Sequence, residues 1–279
     1  EGEPYPSLSD FFHDKGMPVG VLTLGNVADA TPTAFYGHSV ERDNADELTR
    51  CLMDGRVDLL CGSGIREFTR RSDGVDLIGE LEKQYDFVRS VDEINARKGK
   101  VICIDETMDD AAEQANLTLL ADATKASIAK LQERGGKGFF LMVEGAKIDY
   151  AGHSRCLPGS IIEMLSFDLA VAEALKFADR NGETLVVVTA DHETGGLTVV
   201  SNDRDFTAAE SGIEYKYTRT EQKRLFEFFH DDDDGDDDDI DISELFHWGI
   251  PQTSSASSAS SLRSFEGSKH GRSVATGHP

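Results

Sequence analysis

The stretch Phe139-Phe-Leu-Met-Val-Glu144-Gly-Ala-Lys-Ile-Asp149-Tyr-Ala-Gly-His153 decides the fold class. Phe139 to Val143 reads as an apolar strand, and it passes at once into acidic and imidazole side chains. Upstream, Thr118 to Glu133 carries apolar residues at helical spacing and stops at Gly135-Gly136. Downstream, Ser160 to Asn181 has the period of a long helix, with Ile161, Met164, Leu165, Leu169, Ala172 and Leu175 expected on its buried face. The β-branched run Thr184 to Thr189 then predicts another strand.

The same alternation runs back to the start of the chain. Strands are expected at Val19 to Leu24, Val57 to Cys61, Tyr85 to Val88 and Val101 to Ile104. Helices are expected at Leu8 to Lys15, Asn44 to Met53, Leu77 to Gln84 and Val91 to Arg97. Apolar strands alternating with helices imply a mostly parallel sheet covered on both faces, a three-layer αβα sandwich. In such sheets ligands bind beyond the carboxyl ends of the strands. After about residue 205 the pattern fails. Residues 1–205 are therefore expected to form the α/β core, and residues 206–279, acidic and serine-rich, an irregular C-terminal region.

Composition narrows the function. The chain has 279 residues, 39% hydrophobic and 29% charged, which suits a globular protein with a sizeable core. No apolar run is long enough to span a membrane, and Glu1 to Asp10 lacks the basic-then-apolar layout of a secretion signal. The formal charge of −24 argues against nucleic-acid binding, which needs a basic face. Part of that charge is local, in the eight aspartates of Asp231 to Asp239. On so acidic a chain, a site for anions needs local positive charge, which bound metal can supply. The four cysteines show no C-x-x-C spacing, so a thiolate zinc site is not expected. Free thiols and disulfides both remain open.

Three segments carry the chemistry. Asp149 and His153 are four residues apart, so on a helical turn both point the same way and can bind zinc through oxygen and nitrogen. Glu144, at a strand end, offers a carboxylate suited to magnesium. Asp191 and His192 follow the Thr184 to Thr189 run and have the same strand-end placement. On extended backbone they point in opposite directions. The third segment is Asp29-Ala-Thr31-Pro, which precedes Arg42. Thr31 precedes a proline, which disfavours helix there. Its hydroxyl with Asp29 can complete an oxygen-rich magnesium site, although Asp29 equally suits a helix N-cap. Arg42 can clamp phosphate oxygens in a bidentate fork.

Taken together, Glu144-Gly-Ala-Lys-Ile-Asp149-Tyr-Ala-Gly-His153, Thr189-Ala-Asp191-His192-Glu193-Thr194-Gly195-Gly196 and Asp29-Ala-Thr31-Pro resemble the alkaline phosphatases, in order and spacing, and their bacterial members above all. The resemblance covers roughly residues 1 to 200. It implies two zinc ions and one magnesium ion. Asp149 and His153 would hold the first zinc, and Asp191 and His192 the second. Glu144 and Thr31 would hold magnesium directly, with Asp29 acting through its waters, and Arg42 would bind the phosphoryl group. The implied reaction is hydrolysis of phosphate monoesters through a phosphoserine. The implied setting is a periplasmic or secreted homodimer.

Two features depart from that pattern. The family's nucleophilic serine lies in an Asp-Ser-Ala motif upstream of Asp-x-Thr-Pro, and no Asp-Ser-Ala occurs here. An aspartate near the family's first strand, bridging zinc and magnesium, is also missing. Ser63, in Gly62-Ser63-Gly64, fits no nucleophile motif. The third zinc-binding histidine is the other departure. His278, in Thr276-Gly277-His278-Pro279, is its candidate, with His270 and His247 as weaker ones. The chain is thus expected to be a truncated phosphomonoesterase, weakly active or inactive alone. The rival expectations are an inactive metal-binding or interaction remnant and a related phosphodiesterase or sulfatase.

Overall fold

The structure is a computed structural model and describes residues 4–109 and 116–197. The described elements run α1 (Leu8–Asp14), β1 (Val19–Asn26), α2 (Ala30–Tyr36), α3 (Ala45–Arg50), β2 (Leu59–Ser63), α4 (Arg66–Thr69), α5 (Leu77–Leu81), β3 (Tyr85–Val88), β4 (Lys100–Ile104), α6 (Leu119–Glu133), β5 (Phe140–Glu144), α7 (Lys147–His153) and α8 (Leu157–Asn181), with short 3₁₀ turns between some of them. The chain divides into two units. One is Glu1–Lys147 with Ile162–Val187, and the other is Ile148–Ile161 with Val188–Pro279.

The first unit is built on a five-stranded sheet in the order β3-β4-β2-β1-β5. Every described pairing is parallel, with Gly20 opposite Leu59 and Thr23 opposite Glu144. Side chains alternate across a strand, so a continuous apolar run supplies two cores at once. On one face Leu22, Leu24, Leu59, Cys61, Val101 and Cys103 pack with Leu120, Ala123 and Leu131 of α6. On the other, Val21, Leu60, Ile102 and Ile104 pack with Tyr36 of α2, Phe68 of α4, and Leu77 and Leu81 of α5. These are the three layers that the sequence predicts. Cys51, Cys61 and Cys103 are free thiols, and Cys61 and Cys103 face each other on neighbouring strands within the first core.

A buried carboxylate fixes where the sheet begins. Asp58 accepts from the Val19 backbone N–H at 3.0 Å and from Arg134 Nε at 2.7 Å, which ties the start of β1 to the end of α6. The strand order also fixes where a ligand can bind. From β1 the chain steps to β2 through α2 and α3, whereas β5 is reached through α6 on the opposite face and lands on the other side of β1. The order reverses between β1 and β5, and a crevice opens at such a switch point, beyond the carboxyl ends of the two strands.

Three local expectations are corrected. Residues 30–36 are helical despite Pro32, because proline in a helix's first turn gives up an N–H that has no intrahelical partner there. Thr184 to Thr189 joins no sheet among the described residues. No described strand runs beside it, and Leu185 and Val187 are 86% and 72% exposed. The buried face of α8 is not the predicted one. Ile162, Ser166, Ala170 and Phe177 turn inward, while Met164, Leu169 and Leu175 are exposed. Ser166 turns inward with a partner, donating its hydroxyl to the Leu117 carbonyl at 2.9 Å, and Ala170 packs in the first core.

Candidate active site

In the first unit the carboxyl ends of β1 and β5 bring oxygen ligands together. Thr23, fully buried, donates its hydroxyl hydrogen to Glu144 Oε2 at 2.6 Å and accepts from the Gly25 N–H at 3.1 Å. Gly25 packs tightly against its surroundings. A Cβ there would stand 3.0 Å from Ala146 Cβ, 3.5 Å from Thr23 Oγ1 and 3.6 Å from Asp29 Oδ2. Asp29 occupies the N-cap position of α2 but makes no side-chain capping bond to the helix. Thr31 lies in the first turn of that helix. Thr23, Asp29 and Glu144 thus border one small volume at the switch point, and their hard oxygens suit magnesium. Lys147, where α7 begins, forms an ion pair with Asp109. Arg42 is 76% exposed and pairs with its neighbour Asp43 at 3.5 Å.

In the second unit the two Asp/His motifs meet. Helix α7 sets Asp149 and His153 one turn apart, with His153 Nε2 3.4 Å from Asp149 Oδ2. His192 Nε2 lies 3.3 Å from Asp191 Oδ2. An imidazole nitrogen facing a carboxylate needs a ring N–H hydrogen or a metal between them. Two ligands of a tetrahedral zinc with bonds of ~2.1 Å stand ~3.4 Å apart, so both pairs have the separation of a zinc-ligand edge.

Thr194 joins the pairs. Its hydroxyl donates to Asp149 Oδ1, and its oxygen lies 3.2 Å from His192 Nδ1, which also reaches the Glu193 carbonyl at 2.9 Å. This polarity assigns the hydrogen to Nδ1 and leaves Nε2 for a metal or a second proton. The Glu193 carbonyl, and after it the Asp191 charge, raise the His192 imidazole above its ordinary pKa. Close approach is possible because residue 152 is glycine. A Cβ there would stand 2.9 Å from the Thr194 carbonyl oxygen.

Each of the predicted residues Asp149, His153, Asp191 and His192 therefore lies in one cluster, and Asp29 and Glu144 border another. Among the described residues no three His, Cys, Asp or Glu side chains form a ready metal cage. His247, His270 and His278 lie outside the described residues. Sequence reasoning missed Thr23, Gly25, Gly152 and Thr194. Thr194 was within sight, because it sits two residues after His192 in a motif already singled out.

A parallel sheet between helical layers, with Thr23, Asp29 and Glu144 at its switch point, is the frame of an α/β hydrolase. The alkaline phosphatase family profile matches residues 2–239, and the chain belongs to that family. Alkaline phosphatase 4 of Bacillus subtilis is 30% identical over 228 residues, covering 78% of this chain and 49% of that protein. Streptomycin-6-phosphate phosphatase of Streptomyces griseus is 31% identical over 244 residues, covering 68% of this chain and 54% of that protein. Alkaline phosphatase from the Antarctic bacterium TAB5 matches in structure with a TM-score of 0.65 and 29% identity, covering 71% of this chain and 60% of that one. A TAB5 mutant has been solved with magnesium bound in its M3 site. The chain spans about half the length of the curated relatives it matches.

Proposed function

We propose that this chain carries the metal-binding machinery of a phosphate monoester hydrolase. The single observation that carries the reading is the Thr194 bridge, which draws Asp149 and His192 of two distant motifs into one cluster. Asp149 and His153 would hold one zinc ion, and Asp191 and His192 a second, with His278 a candidate further ligand. Glu144 and Thr31 would hold magnesium, and Asp29 would bind its waters. When bound, the metals lower the pKa of an oxygen nucleophile and stabilise charge on the phosphoryl group.

The chain's own residues position these groups. Thr194 orients Asp149 and His192 together, and the Glu193 carbonyl holds the His192 ring with Nε2 toward Asp191. Arg42, exposed and flexible in reach, would bind two phosphoryl oxygens with its planar fork. Local cationic charge is needed because the chain as a whole repels phosphate. A phosphorylated small molecule is the substrate class, in keeping with the relative named for streptomycin-6-phosphate. Family membership is what supports a periplasmic or secreted setting and a homodimer. No described helix is long and apolar enough to cross a membrane.

A specific observation favours low activity of this chain by itself. The sequence has no Asp-Ser-Ala motif, and Ser63, at a strand end of the sheet, is 2% exposed. The test is hydrolysis of an aryl phosphate monoester at alkaline pH with zinc and magnesium, beside the matching phosphodiester and sulfate. The reading expects zinc binding with slow or no turnover, and any turnover confined to the monoester. Preferential cleavage of the diester or sulfate would overturn it.

A further inference from the structure

The Thr23 hydroxyl has one hydrogen, and it points at Glu144 Oε2 at 2.6 Å, while the oxygen's acceptor side is taken by the Gly25 N–H. The two residues face each other in the register between β1 and β5, so the contact is set by backbone pairing rather than by a mobile loop. Thr23 is fully buried. Its hydroxyl sits among the apolar side chains of a strand whose other buried positions, Val21, Leu22 and Leu24, need no hydrogen bond. Burying a hydroxyl costs free energy unless it is bonded, and a valine of nearly the same shape would avoid that cost. The hydroxyl gives in exchange an acceptor for the Gly25 N–H and a directed bond to Glu144.

We propose that Thr23 is a positioning residue for magnesium. It fixes the carboxylate of Glu144, while Asp29 Oδ2 lies across Gly25 from the Thr23 hydroxyl. This rests on the reading of Glu144 as a magnesium ligand. A carboxylate held by one directed donor loses little further freedom when it binds a cation. Outer-shell partners of this kind typically alter metal affinity by ~10–100-fold. Gly25 completes the arrangement, because a methyl group there would enter the volume between Thr23 Oγ1 and Asp29 Oδ2.

The test is calorimetric titration of the chain with magnesium chloride at saturating zinc, for the unaltered protein and for Thr23→Val, Thr23→Ser and Glu144→Gln. The proposal expects Thr23→Val to weaken magnesium by ~10-fold or more. Thr23→Ser should restore most of the affinity, and zinc affinity should stay near that of the unaltered chain, while Thr23→Val lowers the metal-free melting temperature because the buried Gly25 N–H loses its acceptor. If Thr23→Val does not fold, Thr23→Ala removes the same hydroxyl and is read in the same way. Magnesium affinity unchanged in Thr23→Val but lost in Glu144→Gln would overturn the role of Thr23 and leave Glu144 as a ligand. Affinity unchanged in Glu144→Gln would overturn the magnesium reading itself, and the role of Thr23 with it.

Discussion

Thr194 and Asp149 lie 45 positions apart in sequence, and the Thr194 hydroxyl donates to the Asp149 carboxylate. The same oxygen stands 3.2 Å from His192 Nδ1. One hydroxyl thus couples the ligand pair on α7 to the ligand pair in the loop that follows α8. Thr194→Val should weaken zinc binding by ~10–100-fold, as loss of an outer-shell partner does, and Thr194→Ser should retain it. Competition against a colorimetric zinc chelator reads both.

Gly152 is needed for that coupling. A Cβ at 152 would meet the Thr194 backbone at 2.9 Å, which forces one of the two segments to move. Gly152→Ala should therefore lower zinc affinity while costing only the ~1–3 kcal/mol typical of overpacking. Chelator competition together with urea melts separates the two effects.

Asp58 anchors β1, and Arg134 is its charged partner at 2.7 Å. Arg134→Leu leaves the Asp58 carboxylate nearly buried with only the Val19 N–H and a lysine, Lys100, at 4.0 Å. The loss should fall near the lower end of the ~3–5 kcal/mol seen when a buried pair is broken, because Arg134 is itself partly exposed. The midpoint of urea unfolding measures it.

Arg71 organises the acid response of the first unit. Its side chain is nearly buried and donates to Thr49 Oγ1, to the Glu67 and Asp46 carbonyls and to Asp73. The Arg71 hydrogen bond holds the Asp73 carboxyl at about 2, and a hydrogen bond from the Ser72 hydroxyl lowers Asp46. Both folded values lie below the unfolded ones, so their stabilisation is present above ~pH 4. It is lost as pH falls through the folded values, toward about 2 for Asp73. Arg71→Met should cost ~1–3 kcal/mol at neutral pH through unsatisfied acceptors. It should also flatten the loss of stability between pH 4 and 2, which melts across that range record.

Much of the fold was legible in the sequence because its strands are short apolar runs between helices of helical period. Val19–Asn26 and Phe140–Glu144 depart from the expected bounds by a residue or two, since a ladder hydrogen bond, not hydrophobicity, ends a strand. Thr184 to Thr189 has the composition of a strand, but composition does not supply a neighbour, and Val188 is more than half exposed. Amide exchange should therefore be fast at Leu185 to Val188 and slow at Val21 and Leu22; slow exchange at both would restore the predicted strand. Helix α8 misled because apolar residues lie on more than one face, and Ile162, Ala170 and Phe177 are buried while Met164, Leu169 and Leu175 are not.

The proposed ligand pairs were legible because metal chemistry favours Asp, Glu and His at fixed spacing, and Asp149 with His153 needs only one helical turn. The supports were not. Thr23 and Thr194 are ordinary threonines in sequence, and their roles come from strand register and from a loop folding back on α7. Arg42 shows the opposite case, a residue singled out by spacing whose side chain is exposed and paired with Asp43.

The central proposal is that Asp149 with His153, and Asp191 with His192, bind zinc in this chain. Its most direct test is calorimetric zinc titration of the unaltered chain beside Asp149→Asn and His192→Ala. The account predicts saturable zinc binding that falls by at least ~10-fold in each variant. Zinc affinity equal in all three proteins, or no zinc binding by the unaltered chain, would contradict it.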